Sequence, residues 1–406
     1  MTASSRPPAT LAIHGGRPVR EEVLPYGQQL LTDADVETVV EVLRSDWITT
    51  GPKIAEFEHA VAAVVGARHA VAFSSGTAAL HGAAFAAGLG PGDEAITTPL
   101  TFCATANAVL YQGATPVFAD VRDDALTIDP DQARRRITPR TKAILPVDYA
   151  GHPADLDPLL ALAAQHGLVV IEDAAHALGA RYRGRPVGAI SHMSVFSFHP
   201  VKHLTTGEGG MVTTDSGDLA LRLRAFRSHG IASDPRARQT AGQWYYEMTA
   251  LGYNYRLTDI ACALGLSQVP RLAANVARRQ QIARRYEAEL SGTPALRLPT
   301  SSADVEHAWH LYPVRVDASV DRAEVFRALR AEGLGVNVHY VPVHLHPYYR
   351  DRFGYRGGEF PVAEAAYGQL ISLPMFHGMS DADAEDVIEA VRKVMAYFGD
   401  GRHGRG

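Results

Sequence analysis

Lysine is scarce in this chain. Of 39 basic residues only Lys53, Lys142, Lys202 and Lys393 are lysines, so chemistry that needs a side-chain amine has few candidates. Cysteine is scarcer: Cys103 and Cys262 are the whole complement and lie far apart. That fits a reducing compartment and a structural role better than a disulfide framework. No apolar run reaches the roughly 18–20 residues that a spanning helix needs. Met1 to Thr10 has one Arg and no apolar stretch, so it does not read as a secretion signal. There is no block of like charge, and the net charge is only -5, which gives no electrostatic footprint for nucleic acid. A cytoplasmic chain with neither membrane nor nucleic-acid partner is expected.

What is present is the balance of an ordinary globular enzyme, 46% hydrophobic and 20% charged over 406 residues. That length suits a large domain plus a smaller one. Residues 1–30 are rich in Pro and Gly and read as an arm. Residues 33–44 and 53–65 have helical periodicity, the first with Thr32 or Asp33 as N-cap. From residue 69 short apolar strands alternate with helical stretches. The strands are 69–73, 94–98, 116–119, 143–147, 168–172, 194–198 and 210–214; the helices are 77–88, 102–112, 130–137 and 155–166. Such alternation predicts an α/β fold whose mostly parallel sheet is covered on both faces. After Arg271 a long helix to about 290, strands at 306–316 and 335–341, and helices at 321–332 and 380–397 predict a smaller α+β domain. The division expected is 1–30 arm, 31–270 large domain and 271–406 small domain.

Five segments could carry chemistry. In FSSGTAAL (73–80) a strand runs through Ser75, Gly76 and Thr77 into a helix, whose first N–H groups make a cradle for an anion. Ordinary N-capping favours the same residue types. In VVIEDAAHALGA (169–180) Asp173 ends an apolar strand, where ligands of open α/β sheets bind. Its buried carboxylate needs a partner: a protonated ring nitrogen would serve, and so would a helix end or an ion pair. In SVFSFHPVKHLTTGEGG (194–210) Lys202 follows a strand and precedes Gly207, Gly209 and Gly210. Apolar and Gly-rich flanks disfavour a surface cation and suit an amine whose pKa is lowered by burial. Lys142 sits in a turn, Lys393 on a terminal helix and Lys53 in a loop. In LGYNYRLTDIACALG (251–265) Asn254 and Arg256 precede a helix capped by Thr258 or Asp259. Arg256 suits a carboxylate or phosphate, although a plain polar loop reads the same way. In VHYVPVHLHPYY (338–349) the histidines have no metal-ligand spacing and no accompanying carboxylate or cysteine, so no metal is expected.

In that order and spacing SGTAAL, EDAAHALG, SFHPVK…TGEGG and NYRL resemble the DegT/DnrJ/EryC1/StrS sugar aminotransferases over residues 22–397. The resemblance implies the pyridoxal-phosphate-dependent transferase fold type I, with pyridoxal 5'-phosphate (PLP) as cofactor. Carried over by position, Lys202 would bond the cofactor as a Schiff base and move the proton during transfer. Asp173 would pair with the pyridine nitrogen. Ser75, Gly76, Thr77 and Ser197 would hold the phosphate, with Asn254 reaching across from a second subunit. Phe102 would stack on the cofactor ring and His176 would lie near its phenolic oxygen. Arg256, His339 and Tyr340 would meet the substrate. The implied reaction moves an amino group from an amino acid, L-glutamate, to a nucleotide-linked keto sugar, in a homodimer with shared sites.

Within the family, ITTPLTFCATAN, PVDYAGH and ALGLSQ look most like the UDP-4-amino-4,6-dideoxy-N-acetyl-altrosamine transaminase branch, which implies amination at C4 of a UDP- or dTDP-4-keto-6-deoxy sugar. The Arg- and Gln-rich stretch 231–243 departs from that branch and leaves the sugar open. Three other readings stand beside this one. A dehydratase of the family has His in place of the lysine, so Lys202 counts against it. An aminotransferase of a cyclitol or other ketone, with glutamine as donor, is open. A non-catalytic regulatory protein would not need Lys202, Asp173 and the phosphate cradle together.

Overall fold

The computed structural model describes residues 10–231, 233, 238 and 240–399. Its centre is a seven-stranded sheet made of β1 (His69–Phe73), β2 (Glu94–Thr97), β3 (Thr115–Phe118), β4 (Thr141–Leu145), β5 (Val169–Asp173), β6 (Met193–Ser197) and β7 (Gly210–Thr214). The spatial order is β1-β7-β6-β5-β4-β2-β3. Only β7 runs antiparallel to its neighbours. Each strand begins or ends within a few residues of the position that apolar patterning predicts.

Neighbouring strand residues point to opposite faces, and here both faces are apolar. Val71, Ile171, Val195 and Val212 pack in one buried cluster with Ala79, Ala83 and Phe226. Ala70, Phe196 and Met211 face the other way, against Phe57, Val61 and Cys262. The helices that bring these residues are α1 (Asp33–Leu43), α2 (Pro52–Val65), α3 (Gly76–Ala86), α4 (Ala104–Tyr111), α5 (Pro130–Arg135), α6 (Leu156–His166), α7 (Gly217–Arg227) and α8 (Asp259–Gln268). Thr32 is the N-cap of α1 in a capping box with Asp35, and Thr258 caps α8 by accepting from Ala261 N.

The C-terminal part is built on α9 (Leu272–Leu290), α10 (Arg322–Ala331), α11 (Pro347–Phe353), α12 (Pro361–Gln369) and α13 (Asp381–Phe398). They surround a small antiparallel sheet of β8 (Leu296–Arg297), β9 (Tyr312–Val316) and β10 (Leu370–Leu373). Its core also takes in Leu11 and Leu24 from the N-terminal segment. Leu24 and Pro25 pair in parallel with Leu334 and Gly335.

The expected strand at 335–341 is reduced to Gly335, in its pairing with Pro25. Only Asn337 reaches the sheet edge, bridging Ser372, and the Asn337 side chain caps the next amide, Val338 N, at 2.8 Å. A side chain that captures the following amide competes with the ladder. The backbone therefore leaves the sheet and carries His339 and Tyr340 into the cleft described below. The expected strand at 306–316 also shortens, to β9 and a two-residue pairing of Val305–Glu306 with Arg181–Tyr182. No helix among the described residues is long and apolar enough to cross a membrane.

Candidate active site

Six strands of the central sheet run the same way, so their C-terminal ends lie along one edge of the sheet. Loops there enclose a cleft of about 420 Å3. Such edges are where open α/β sheets bind ligands. Ser75, Gly76, Thr77, Phe102, Asp173, His176, Ser197, Lys202, His339 and Tyr340 all line this cleft. Segments more than two hundred residues apart in the chain thus converge on one cavity.

Asp173 is the last residue of β5 and is buried. Thr105 Oγ1 donates to its Oδ2 at 2.7 Å, and Ala175 N donates to Oδ1 at 3.2 Å. Burial raises the carboxyl above its usual range, while the Thr105 bond and the nearby Lys202 charge pull it back. Lys202 lies in the loop after β6. Its amine is enclosed although the side chain keeps access to the cleft. Burial lowers its pKa to about 7; Asp173 opposes that shift and the Arg279 cation adds to it. A sizeable fraction is therefore a neutral nucleophile at neutral pH.

The other lysines are elsewhere. Lys53 pairs with Glu56 at 2.7 Å, Lys393 bonds Glu332 and the carbonyl of Arg17, and Lys142 is exposed on β4.

One corner of the cleft is the start of α3. Ser75 is its N-cap and accepts from Ala78 N at 3.0 Å. The next amides, Gly76 and Thr77, belong to the first turn, where no intrahelical acceptor exists. A Cβ on Gly76 would stand 3.1 Å from Cβ of Ser197, so glycine keeps this corner open. Phe102 is 56% exposed, one face open to the cleft. Tyr340, whose ring lies 5.9 Å from that of Phe102, has its OH 3.1 Å from His176 Nε2, and His176 Nδ1 is buried with no partner. Burial, with Lys202 and other histidines nearby, pushes His176 well below its usual pKa, so it is neutral.

Two predicted residues do not join them within one chain. Asn254 is exposed, its backbone bridging Ser228, and Arg256 is half-buried; neither lines the cleft. Part of the expected insert 231–243 lies outside the described residues. The structure adds His310, Thr101 and Tyr26 to the cleft lining, and Thr105 and Arg279 behind it. The expectation that no carboxylate accompanies the late histidines is corrected. Glu359 and Glu364 come within 4.8 Å of His344. Their oxygens already accept the amides of Arg356, Gly357, Gly358 and Phe360, which is the arrangement of a loop clamp.

This strand order, with an enclosed lysine facing a buried carboxylate and a glycine-lined helix start, defines a class of protein: the PLP-dependent enzymes of fold type I. Comparison with known proteins narrows it. Residues 29–392 match the DegT/DnrJ/EryC1/StrS aminotransferase family. The spore coat polysaccharide biosynthesis protein SpsC of Bacillus subtilis is 46% identical over 93% of this chain and 98% of its own. Helicobacter pylori PseC, an aminotransferase involved in the biosynthesis of pseudoaminic acid, superposes with a TM-score of 0.87 at 32% identity, over 93% of this chain and 100% of its own. Spr1654 of Streptococcus pneumoniae in its pyridoxamine (PMP) form gives 0.87 at 32% identity over 92% and 99%, and it is also known in a PLP form. The chain belongs to the DegT/DnrJ/EryC1/StrS family and is a PLP-dependent aminotransferase.

Proposed function

We propose that the protein moves an amino group from L-glutamate to C4 of a UDP- or dTDP-linked 4-keto-6-deoxy sugar. The observation that carries the reading is the meeting, in one cleft, of a neutral-prone lysine amine, a buried carboxylate and an anion-sized helix start. The sugar is favoured by relatives whose names place them in polysaccharide and pseudoaminic acid biosynthesis.

The residues present fit the cofactor. His176 Nδ1 is a buried polar atom without a partner, each Asp173 oxygen accepts a single donor, and a side chain at Gly76 would fill the anion corner. PLP, when bound, supplies the electron sink for amine transfer. The chain supplies position and proton movement. Ser75, Gly76, Thr77 and Ser197 hold the phosphate through hydroxyls and first-turn amides. Asp173 would pair with the ring nitrogen and keep it protonated. Phe102 would cover the ring, and His176, bonded to Tyr340, would face its phenolic oxygen. Lys202 would hold the cofactor and, as a free amine, hold or move a proton at Nζ as general acid and base. His339 and Tyr340 face the substrate.

A second copy of the chain completes the site in this reading. Trp244 is 84%, Leu251 73% and Met248 66% exposed. A lone soluble chain rarely leaves such a patch uncovered. Asn254, exposed outside the cleft, then reaches the partner's phosphate corner, and Arg256 approaches the substrate from the same segment. Cytoplasmic location is part of the proposal.

The test is a half-reaction screen. The pyridoxamine form is offered UDP- and dTDP-linked 3-keto and 4-keto sugars, and products are read by mass and NMR. A new amine at C4 of a 4-keto-6-deoxy sugar is expected. Turnover confined to 3-keto sugars or to a cyclitol ketone, or with glutamine as the only donor, contradicts it.

A further inference from the structure

We propose that His310 is a positioning residue for Lys202, receiving the lysine amine whenever that amine is not bonded to cofactor. The proposal rests on Lys202 being the cofactor-bonding lysine. Lys202 Nζ and His310 Nε2 are 3.4 Å apart inside the cleft. No other hydrogen-bond partner of the amine occurs among the described residues.

The placement of His310 is enforced from three sides. Its ring packs on His176 with centroids 4.4 Å apart and lies 5.8 Å from the ring of His203. Its backbone is held by Arg279 of α9, a wholly buried cation. Arg279 Nη1 donates to the carbonyls of Trp309, His310 and Met375 at 2.9–3.2 Å, and Nη2 donates to the carbonyl of Val201 at 3.3 Å. One guanidinium therefore fixes the residue before Lys202 and the backbone of His310 together. A buried arginine that holds only carbonyls carries a desolvation cost, and here it ties the backbone on both sides of the Lys202–His310 contact.

The chemistry follows from charge. The ionisable groups around Nζ are Asp173, Arg279, His176, His203, His310 and His339. Burial lowers every one of those histidines, so they are neutral at neutral pH. A neutral imidazole nitrogen can accept from an ammonium, which a second cation could not. His310 thus gives the protonated amine an acceptor inside the cleft and fixes the direction of one of its protons. Its Nδ1 is buried without a partner, so the ring stands there without a second hydrogen bond to orient it. Contact with Lys202 then gives it its polar role.

Reactivity of Lys202 toward an amine-selective acylating reagent tests this. The cofactor-free full-length chain is labelled across pH and the Lys202 peptide is read by mass spectrometry. Half-reactivity near pH 7 is expected for the native chain. His310→Phe removes the acceptor and lowers that midpoint by about one pH unit, the size of one charge-assisted hydrogen bond. His310→Gln keeps an acceptor and restores it, and His310→Ala repeats the first result should the Phe variant not fold. A midpoint unmoved in the Phe or Ala variant, or shifted as far in the Gln variant, overturns the proposal. Failure of the underlying reading looks different: borohydride would then fix no cofactor on Lys202 of the native protein.

Discussion

At the scale of single residues, the proposed function assigns the chemistry to two side chains whose neighbours set their state. The Lys202 amine is useful because burial outweighs the pull of Asp173, which leaves its pKa near 7. The neutral form is the nucleophile and dominates above that value. Uptake of PLP by the cofactor-free protein should therefore accelerate as pH rises through about 7 and level off by about 8. A rate still climbing at pH 9–10 would mean that the amine is not desolvated. Asp173 is tuned by Thr105. Thr105→Val removes a hydrogen bond to a buried carboxylate, worth about 1.5–3 kcal/mol, and should weaken cofactor binding on the order of tenfold or more in a fluorescence titration. Asp173→Ala should fold and lose activity on the order of 10²–10³, comparable to losing a preorganised electrostatic contact. Near-normal rates would remove Asp173 from the ring nitrogen.

Legibility in the sequence divides at this scale. Lys202 and Asp173 are readable because Asp173 closes an apolar strand and Lys202 follows one within a few residues, each in its own short segment. Thr105, His310 and Arg279 were not, because nothing local marks them. Thr105 sits in the first turn of an alanine-rich helix, Arg279 is one arginine among several on α9, and each gains its role only when distant strands meet.

At the scale of elements, apolar alternation located the seven strands and most of their helices, α7 excepted, since both faces of the sheet are covered. It failed at 335–341, where alternation of apolar and polar residues reflects a loop with a buried histidine rather than a strand. It also left α11, α12 and β10 unread, because segments of four to nine residues are too short to show a period. The start of α3 depends on close backbone approach. A Cβ on Gly210 would fall 2.5 Å from the carbonyl oxygen of Ser75. Gly210→Ala should then displace the Ser75–Thr77 turn, cost roughly 1–3 kcal/mol of stability and weaken phosphate binding. Thermal denaturation and PLP titration check this; unchanged values in both would show that the turn tolerates the shift.

At the scale of the whole molecule, the cleft of a single chain holds every expected cofactor residue except Asn254, which is exposed outside it. The sequence implied this division only through family resemblance, since a contact between copies leaves no periodic signal. Light scattering should report a dimer. Mixing inactive Lys202→Ala and Asn254→Ala chains should regain up to about a quarter of native activity, the share expected when one of two shared sites is rebuilt in half of the random dimers. Confirmed subunit exchange without recovery would contradict a shared site.

The most direct test of the central claim is reduction of the native protein with borohydride, followed by peptide mass spectrometry. The pyridoxyl group should be found on the peptide containing Lys202, with loss of the yellow colour and of activity. A label on Lys53, Lys142 or Lys393, or a Lys202→Arg protein that is colourless yet fully active, would contradict it.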